Sequence, residues 1–256
     1  MVVAGDAGKK NVLNFLERHG FSVQEICEVP GERRADLRAT HNAEEYLVEV
    51  KSRIADEVYF SELYATGTAE RKKFLGRTNA VSAQVRDGAE QLVTTPSTPE
   101  AFRLLALIAF GDDPETQASQ FQATLYGTVD VLTPGEAGSA VATPCFFFSF
   151  SEFFRLRHID AAMIMIPGAS RLCLNSFGYC LPEMRESSLT KLYAENDGLI
   201  DPSSLEAKGE AFLADCNLDR RDEAALLRYV QEKYGLQHAF TFNPNKYTAA
   251  VLVPRR

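Results

Sequence analysis

The sequence predicts an α/β protein in which helices flank a mixed β-sheet. Short apolar segments with strand-like alternation recur along the chain, and segments with helical spacing of apolar residues lie between them. Such alternation is typical of a sheet with helices on its faces. The chain has 256 residues, of which 45% are hydrophobic, so it can bury a large core as one domain or two smaller ones. We therefore expect an α+β mixed sheet flanked by helices.

The first element is a helix over residues 7–19, where Val12 and Leu16 recur at helical spacing. Gly20 is expected to end this helix because glycine accepts the left-handed backbone conformation found at helix C-termini. A strand over 21–28 follows. The chain is then expected to turn before its next strand pair.

The next element is a hairpin, because residues 35–40 and 45–51 both alternate and a polar four-residue turn joins them. With the turn centred, Asp36 falls directly opposite Glu49, so the two side chains share a face. Lys51 lies two residues beyond Glu49 and points the same way. The other face is predicted to be apolar and to carry Ala35, Leu37, Ala39, Tyr46, Val48 and Val50.

Further elements follow in alternation. After an irregular or partly helical stretch over 54–78, we expect a helix over 80–93, a buried strand over 103–110, a helix over 114–126 and a short strand over 128–132. The strand over 103–110 should be buried because it is almost wholly apolar. Together these elements give the order αβββαβαβ.

A small, turn-rich segment over 135–143 marks a candidate boundary between two units, 1–134 and 140–256. Beyond it, we expect strands over 145–150, 159–166 and 171–175, a helix over 220–234, and a terminal strand pair over 237–242 and 247–253. The second unit is either a separate α+β domain or an extension packed on the first sheet. A role in recognition or interaction is expected for it.

Two carboxylates and an ammonium on one face require a chemical reason. Asp36 and Glu49 repel each other unless a cation lies between them. Mg²⁺ suits this position because it takes carboxylate oxygens and keeps several waters. It can lower the pKa of a bound water and clamp a phosphate oxygen. Lys51 could then position or deprotonate the attacking water. The alternative is a hairpin whose charged face simply contacts solvent.

The spacing Asp36–x12–Glu49–x–Lys51 resembles the PD-(D/E)XK nuclease superfamily, which has the restriction-endonuclease-like fold. The order of elements is similar over the first half of the chain, although Ala35 stands where many members have proline. The resemblance implies a restriction-endonuclease-like core with an α+β C-terminal extension. It also implies a metal-dependent DNA endonuclease that uses Mg²⁺, or Mn²⁺ in its place.

The resemblance implies a role for each site residue. Asp36 and Glu49 would bind the metal, with Glu17 of the first helix as a third carboxylate. Lys51 would act on the water, and Gln84 of the following helix would assist the metal or the water. For Glu17 and Gln84 the alternative is an ordinary surface residue. Genome defence, repair and mobile elements are all pathways in which such an enzyme fits. A second hypothesis is an inactive nuclease-fold protein that binds DNA or a partner.

Charge and composition constrain the partners. The net charge of −8 argues against indiscriminate binding of nucleic acid, but five basic residues and no acidic one lie between Arg71 and Arg86. That stretch either meets a phosphate backbone or is a solvated loop. A homodimer, or a protein partner bound through the C-terminal half, is a further expectation. No apolar run approaches the roughly 18 residues of a membrane span, and five cysteines without a CxxC pair are typical of a reducing cytoplasm.

Overall fold

The structure, a computed structural model, describes residues 4–27, 29–53, 65–67, 69–110, 113–242 and 247–252. Its main feature is a seven-stranded mixed sheet flanked by helices, which confirms the predicted fold class. A four-stranded sheet and a two-stranded sheet complete the described strands.

The strands have the following bounds: β1 Ser22–Glu25, β2 Leu37–His41, β3 Glu44–Arg53, β4 Ala69–Phe74, β5 Phe102–Ala109, β6 Val129–Pro134, β7 Ala140–Phe146, β8 Ala161–Ile166, β9 Ala169–Leu174, β10 Leu199–Ile200, β11 Phe212–Leu213, β12 Phe240–Phe242 and β13 Tyr247–Leu252. The helices are α1 Ala4–Arg18, α2 Asn79–Thr94, α3 Pro114–Tyr126, α4 Glu152–Arg155, α5 Leu181–Glu186, α6 Ser188–Glu195, α7 Pro202–Ala207 and α8 Glu223–Tyr234. A short 3₁₀ turn spans Glu136–Gly138.

The central sheet has the strand order β1-β2-β3-β5-β8-β9-β10. Its middle strands β3, β5 and β8 run parallel, whereas β1, β2 and β3 form an antiparallel meander at one side. The second sheet has the order β11-β7-β6-β12, and β4 pairs with β13. The parallel centre of the main sheet is buried on both faces, as its apolar sequence predicts.

The hairpin β2–β3 has the predicted register, with Leu37 opposite Val48 and Thr40 opposite Glu45. Its connection is tighter than expected, because only Asn42 and Ala43 form the turn, with φ of 48° and 66°. Two successive positive φ angles define the type I′ turn, whose twist matches that of the flanking strands. The turn therefore fixes which residues face each other along the hairpin.

Helices α1 and α2 cover opposite faces of this hairpin. Val12 and Leu16 of α1 pack with Leu37 and Val48. The face of β3 that carries Leu47 packs instead against α2. The prediction that one face of the hairpin is apolar is thus correct, but the opposite face is also covered.

Ala35 does not lie on the α1 face as predicted. It belongs to the cluster on the α2 face, with Leu47. The reason is that Ala35 precedes β2, and its backbone N–H donates to Thr95 Oγ1 at 2.7 Å instead of extending the ladder.

Three strand assignments differ from expectation. Strand β6 lies in the second sheet, and β5 has β8 as its second parallel neighbour, besides β3. The second part of the segment expected to be a turn-rich boundary, from Ala140 on, belongs to strand β7, whose first residues are small and exposed and so give no apolar alternation. The strands β12 and β13 do not pair with each other, since β12 pairs with β6 and β13 with β4.

Residues on both sides of the expected boundary share one sheet and one core. Strands β8, β9 and β10 complete the sheet begun by β1, β2, β3 and β5. Leu105 packs in the same cluster as Phe147 and Leu213. Among the described residues, no helix has the length and apolar character needed to cross a bilayer.

Candidate active site

The hairpin brings Asp36, Glu49 and Lys51 together at the α2 face of the sheet. The Lys51 ammonium lies 2.7 Å from Glu49 Oε1. Asp36 directly precedes β2, and its Oδ2 accepts a hydrogen bond from the Val50 backbone N–H at 2.9 Å. The backbone of β3 therefore holds the Asp36 carboxylate beside Glu49.

Helix α2 adds two further polar side chains to this site. Asp87 Oδ2 lies 2.6 Å from the Lys51 ammonium. The Gln91 amide donates to Glu49 Oε1 at 2.8 Å and to Asp87 Oδ2 at 3.2 Å. Because Asp87 and Gln91 are one helical turn apart, both reach the same pair of hairpin side chains.

Gly88 allows α2 to approach the hairpin closely. A Cβ atom at this position would lie 2.7 Å from Leu105 Cδ2, 3.1 Å from Glu49 Cγ and 3.3 Å from Lys51 Cε. A larger residue would therefore displace the helix or its neighbours. The missing side chain at Gly88 lets Asp87 and Gln91 reach Lys51 and Glu49.

Glu49 is only 2% exposed, and its Oε2 atom is buried without a hydrogen-bond partner among the described residues. Burial, and next the negative charge of Asp36, raise the pKa of Glu49 to about 7, although the hydrogen bond from Lys51 opposes this shift. The carboxylate is thus held near its point of ionisation at neutral pH. A cation beside Oε2 would remove the repulsion from Asp36.

Lys51 and Asp87 are charged in this arrangement. Burial alone would lower the pKa of Lys51, but the hydrogen bonds to Asp87 and Glu49 raise it above its usual value. Hydrogen bonds from Lys51 and Arg33 lower the pKa of Asp87. Lys51 is therefore an ammonium donor at neutral pH, which suits positioning of a water or stabilisation of charge better than removal of a proton.

Two cations complete the cluster. Lys9 of α1 lies 3.0 Å from Asp36 Oδ1, and Arg33 pairs with Asp87 Oδ1. The site thus combines the carboxylates of Asp36, Glu49 and Asp87 with the cations Lys9, Arg33 and Lys51. Its formal charges balance when all six groups are ionised.

The structure does not bring Glu17 to this cluster. Glu17 is exposed, and it lies on α1, which packs on the opposite face of the sheet. Lys9, two turns earlier on the same helix, is the α1 side chain that reaches the site. The predicted third carboxylate is therefore absent from the cluster, because the helix presents a cation there.

Gln84 lies on the side of α2 that also carries Asp87 and Gln91, but the hydrogen bond to Glu49 comes from Gln91. The Oε1 atom of Gln84 is buried without a partner among the described residues. The side chain of α2 that contacts Glu49 is thus Gln91, two turns beyond Gln84, and the expected role of Gln84 stays a prediction.

Sequence reasoning missed Lys9, Arg33, Asp87 and Gln91. The sequence contained one usable signal, since Gly88 lies inside the apolar stripe of α2 and Asp87 and Gln91 border that stripe. A glycine inside such a stripe indicates close packing. The contacts of Lys9 and Arg33 depend on the relative placement of separate elements, for which the sequence carries no local signal.

The donor set fits a hard divalent cation. No group of three or more His, Cys, Asp or Glu with metal-binding geometry occurs within the described ranges. However, Mg²⁺ is commonly bound through one or two carboxylates together with waters and substrate phosphate. Asp36 and Glu49 supply two adjacent carboxylates, and the unpartnered Oε2 of Glu49 is a free ligand atom.

Basic residues outside the cluster are held in various ways. Arg77 lies 3.2 Å from the buried Glu152 carboxylate, and Arg86 donates to the Ser82 carbonyl at 3.3 Å. Strand β4 contains the basic triplet 71–73. A cavity of about 700 Å³ lies on the opposite face of the sheet and has none of Asp36, Glu49 or Lys51 in its lining. The charged cluster, rather than this cavity, is therefore the candidate active site.

Comparison with protein-family models and with curated proteins finds no match to this chain.

Proposed function

We propose that this protein is a metal-dependent DNA endonuclease, similar to the PD-(D/E)XK nucleases, that hydrolyses phosphodiester bonds. The observation that carries the proposal is a buried Glu49 carboxylate with one unpartnered oxygen, beside Asp36 and within 2.7 Å of the Lys51 ammonium. Two neighbouring carboxylates such as Glu49 and Asp36, one of them buried, cost the folded protein free energy unless a cation lies between them. Lys51 beside the same carboxylate supplies a positive donor for a reacting phosphate.

Each residue has a distinct role in this proposal. Asp36 and Glu49 would hold Mg²⁺, or Mn²⁺ in its place, and the bound ion would supply Lewis-acid stabilisation of charge on the phosphate. Lys51 would donate to the attacking water or to a phosphate oxygen. Asp87 would position Lys51 and Gln91 would position Glu49, since these are the side chains that they contact.

The substrate and setting follow from the same resemblance. DNA is the proposed partner, in a cytoplasmic process such as genome defence, repair or the activity of a mobile element. Cleavage of both strands of a duplex needs two sites or one site used twice. A homodimer, or a protein partner bound to the C-terminal half, would meet that need, and twofold symmetry is the commonest arrangement for oligomers.

An inactive nuclease-fold protein that binds DNA or a protein is the second candidate. The specific observation in its favour is that Lys9, Arg33 and Lys51 already neutralise the three carboxylates, so the cluster is charge-balanced without a metal. Against it stands the buried Oε2 of Glu49, which has no hydrogen-bond partner among the described residues and lies beside a second carboxylate, Asp36.

The test is cleavage of supercoiled and linear DNA by purified protein in Mg²⁺, Mn²⁺, Ca²⁺ or EDTA. We expect cutting in Mg²⁺ and Mn²⁺, little in Ca²⁺ and none in EDTA. Lys51→Met and Asp36→Asn should each lower the rate by at least about 100-fold, because each removes a charge used in the transition state. The exposed pair Lys191 and Glu186, 3.7 Å apart on α6 and α5, provides the matched controls Lys191→Met and Glu186→Gln.

The outcomes separate the two candidates. Retention of cutting in Lys51→Met and Asp36→Asn would assign the activity to a contaminant and would remove the endonuclease proposal. DNA binding by the wild type without cutting in any metal would favour the inactive candidate.

A further inference from the structure

The contact of Lys9 with Asp36 bears on how tightly the site binds a metal ion, and this inference rests on the proposed function. Lys9 lies on α1, which packs on the opposite face of the sheet from α2, yet its ammonium reaches Asp36 Oδ1 at 3.0 Å. It thus enters the site from the opposite side to Asp87 and Gln91.

The approach of Lys9 is built into the packing of α1. Gly8 is buried against β3, and a Cβ atom at Gly8 would clash with Ser52 Oγ and lie 3.5 Å from Val50 Cγ1. A side chain at this position would require Ser52 to move, so Gly8 marks a close approach of the helix to the strand that also carries Glu49 and Lys51. The neighbouring residue, Lys9, is therefore delivered to the carboxylate by the backbone.

The two oxygens of Asp36 have different partners. Oδ2 accepts from the Val50 backbone N–H at 2.9 Å, so the strand fixes it. Oδ1 faces the Lys9 ammonium. Across from Asp36, Glu49 Oε1 is held by Lys51 and Gln91, and its Oε2 has no partner among the described residues.

We propose that Lys9 is a displaceable counter-ion of Asp36 that competes with the divalent cation for this site. A cation held by Asp36 and Glu49 would meet Lys9 at Asp36 Oδ1, the oxygen of Asp36 that the backbone of β3 does not hold. The ammonium is also repelled by a divalent charge nearby. The Lys9 side chain is 20% exposed, so water can solvate its ammonium when the group leaves Asp36.

The test is a titration of the metal-free protein with Mn²⁺, followed by calorimetry and by the electron paramagnetic resonance signal of free Mn²⁺. Lys9→Met removes the charge and keeps the length of the side chain, and we expect it to bind Mn²⁺ about tenfold more tightly than the wild type. Lys9→Arg keeps the charge and should bind like the wild type. Lys10→Met, on the exposed neighbouring residue of α1, is the matched control and should also bind like the wild type.

The alternative role of Lys9 is a structural tether for α1. A tether predicts that Lys9→Met lowers the melting temperature and leaves the Mn²⁺ affinity unchanged or weaker, and that result would overturn the proposal. Lys9→Gln is a second neutral variant with the same expectation, for use if Lys9→Met does not fold.

Failure of this proposal differs from failure of the proposed function. The role of Lys9 alone would be overturned if the wild type, Lys9→Met and Lys10→Met bound Mn²⁺ with equal affinity while Asp36→Asn did not bind it. No Mn²⁺ binding by the wild type and Lys9→Met at millimolar concentration, or binding that survives both Asp36→Asn and Glu49→Gln, would remove the metal site itself.

Discussion

Two buried carboxylates of this protein, Asp201 and Glu49, have opposite environments. Asp201 is 5% exposed and receives two hydrogen bonds from Arg185, at 2.8 and 3.0 Å. It also caps α7 through the backbone N–H of Ser203 and accepts from the Ser204 hydroxyl. Glu49 is similarly buried, but one of its oxygens has no partner and its neighbour is a second carboxylate.

The difference appears in the ionisation of the two groups. Burial would raise the pKa of Asp201, but the hydrogen bonds from Arg185 and Ser204 outweigh it, so the pKa lies below its ordinary value. At Glu49 burial and Asp36 dominate, and the pKa is raised to about 7. Both oxygens of Asp201 thus accept hydrogen bonds, whereas only Oε1 of Glu49 has partners among the described residues. The burial of an acidic side chain is therefore informative about its role only when the groups that contact its carboxylate are considered as well.

The largest expected effect on stability is at Asp201. Asp201→Ala should lower the free energy of unfolding by about 3 kcal/mol at pH 7, because it leaves the Arg185 guanidinium unpaired and removes the cap of α7. Urea denaturation followed by circular dichroism measures this. A change below about 1 kcal/mol would break the comparison, since Asp201 would then not be a structural carboxylate.

At pH 8, Glu49→Gln should raise the free energy of unfolding, whereas Asp201→Ala lowers it. The folded protein binds the Glu49 proton more tightly than the unfolded chain, so the wild type loses stability as the pH rises from about 4.5 through about 7. In EDTA at pH 8 the variant should be more stable than the wild type by about 2 kcal/mol, and the difference should shrink towards pH 5. Urea titrations at both pH values test the slope. A variant that is less stable than the wild type at pH 8 would show that Glu49 resembles Asp201.

Gly88→Ala tests whether the environment of Glu49 depends on the close approach of α2. The added methyl group would lie 2.7 Å from Leu105 Cδ2 and 3.1 Å from Glu49 Cγ. Alanine favours the helix by about 1 kcal/mol, but overpacking costs more, so we expect a net loss of roughly 1 kcal/mol in the free energy of unfolding. Ala83→Gly, on the exposed side of α2, measures the contribution of helix propensity to the free energy of unfolding without the packing contact. A gain in stability at Gly88→Ala would mean that the helix shifts without cost.

The smallest expected effect is the dependence of the Gln91 contribution on the charge of Glu49. Gln91→Ala removes the amide that donates to Glu49 Oε1 and Asp87 Oδ2, and should cost about 1 kcal/mol at pH 8. In the Glu49→Gln background the cost should be smaller, because a hydrogen bond to a charged group is worth more than one to a neutral group. A double-mutant cycle measures that difference. Equal costs in both backgrounds would show that Gln91 does not respond to the charge on Glu49.

The sequence was most informative where local rules determine structure. The register that places Asp36 opposite Glu49 follows from alternation and a centred turn, and the structure has the same register along β2 and β3. Helix α3 has the predicted bounds, and α2 extends the prediction by one residue at each end. The fold class is likewise the predicted one.

The remainder depended on long-range placement. Strand β4 is a charged segment whose partner, β13, lies near the other end of the sequence, so no local pattern indicated either the strand or the pairing. Helices α5, α6 and α7 are six to eight residues long, too short for a clear apolar period. Lys9 and Glu17 lie on the same helix, and only its packing decides which of them reaches the cluster.

The central sheet combines strands from both halves of the chain, and this arrangement has a consequence for folding during synthesis on the ribosome. Strand β5 lies beside β3, but its other edge is paired by β8, and the core beneath it also contains Leu213. A nascent chain that has just completed β6 therefore exposes an apolar strand edge for several seconds, since translation adds roughly 5–20 residues per second. Unpaired edges of this kind recruit other strands. Folding of this protein during translation thus depends on how the edge of β5 is protected until the second half of the chain emerges.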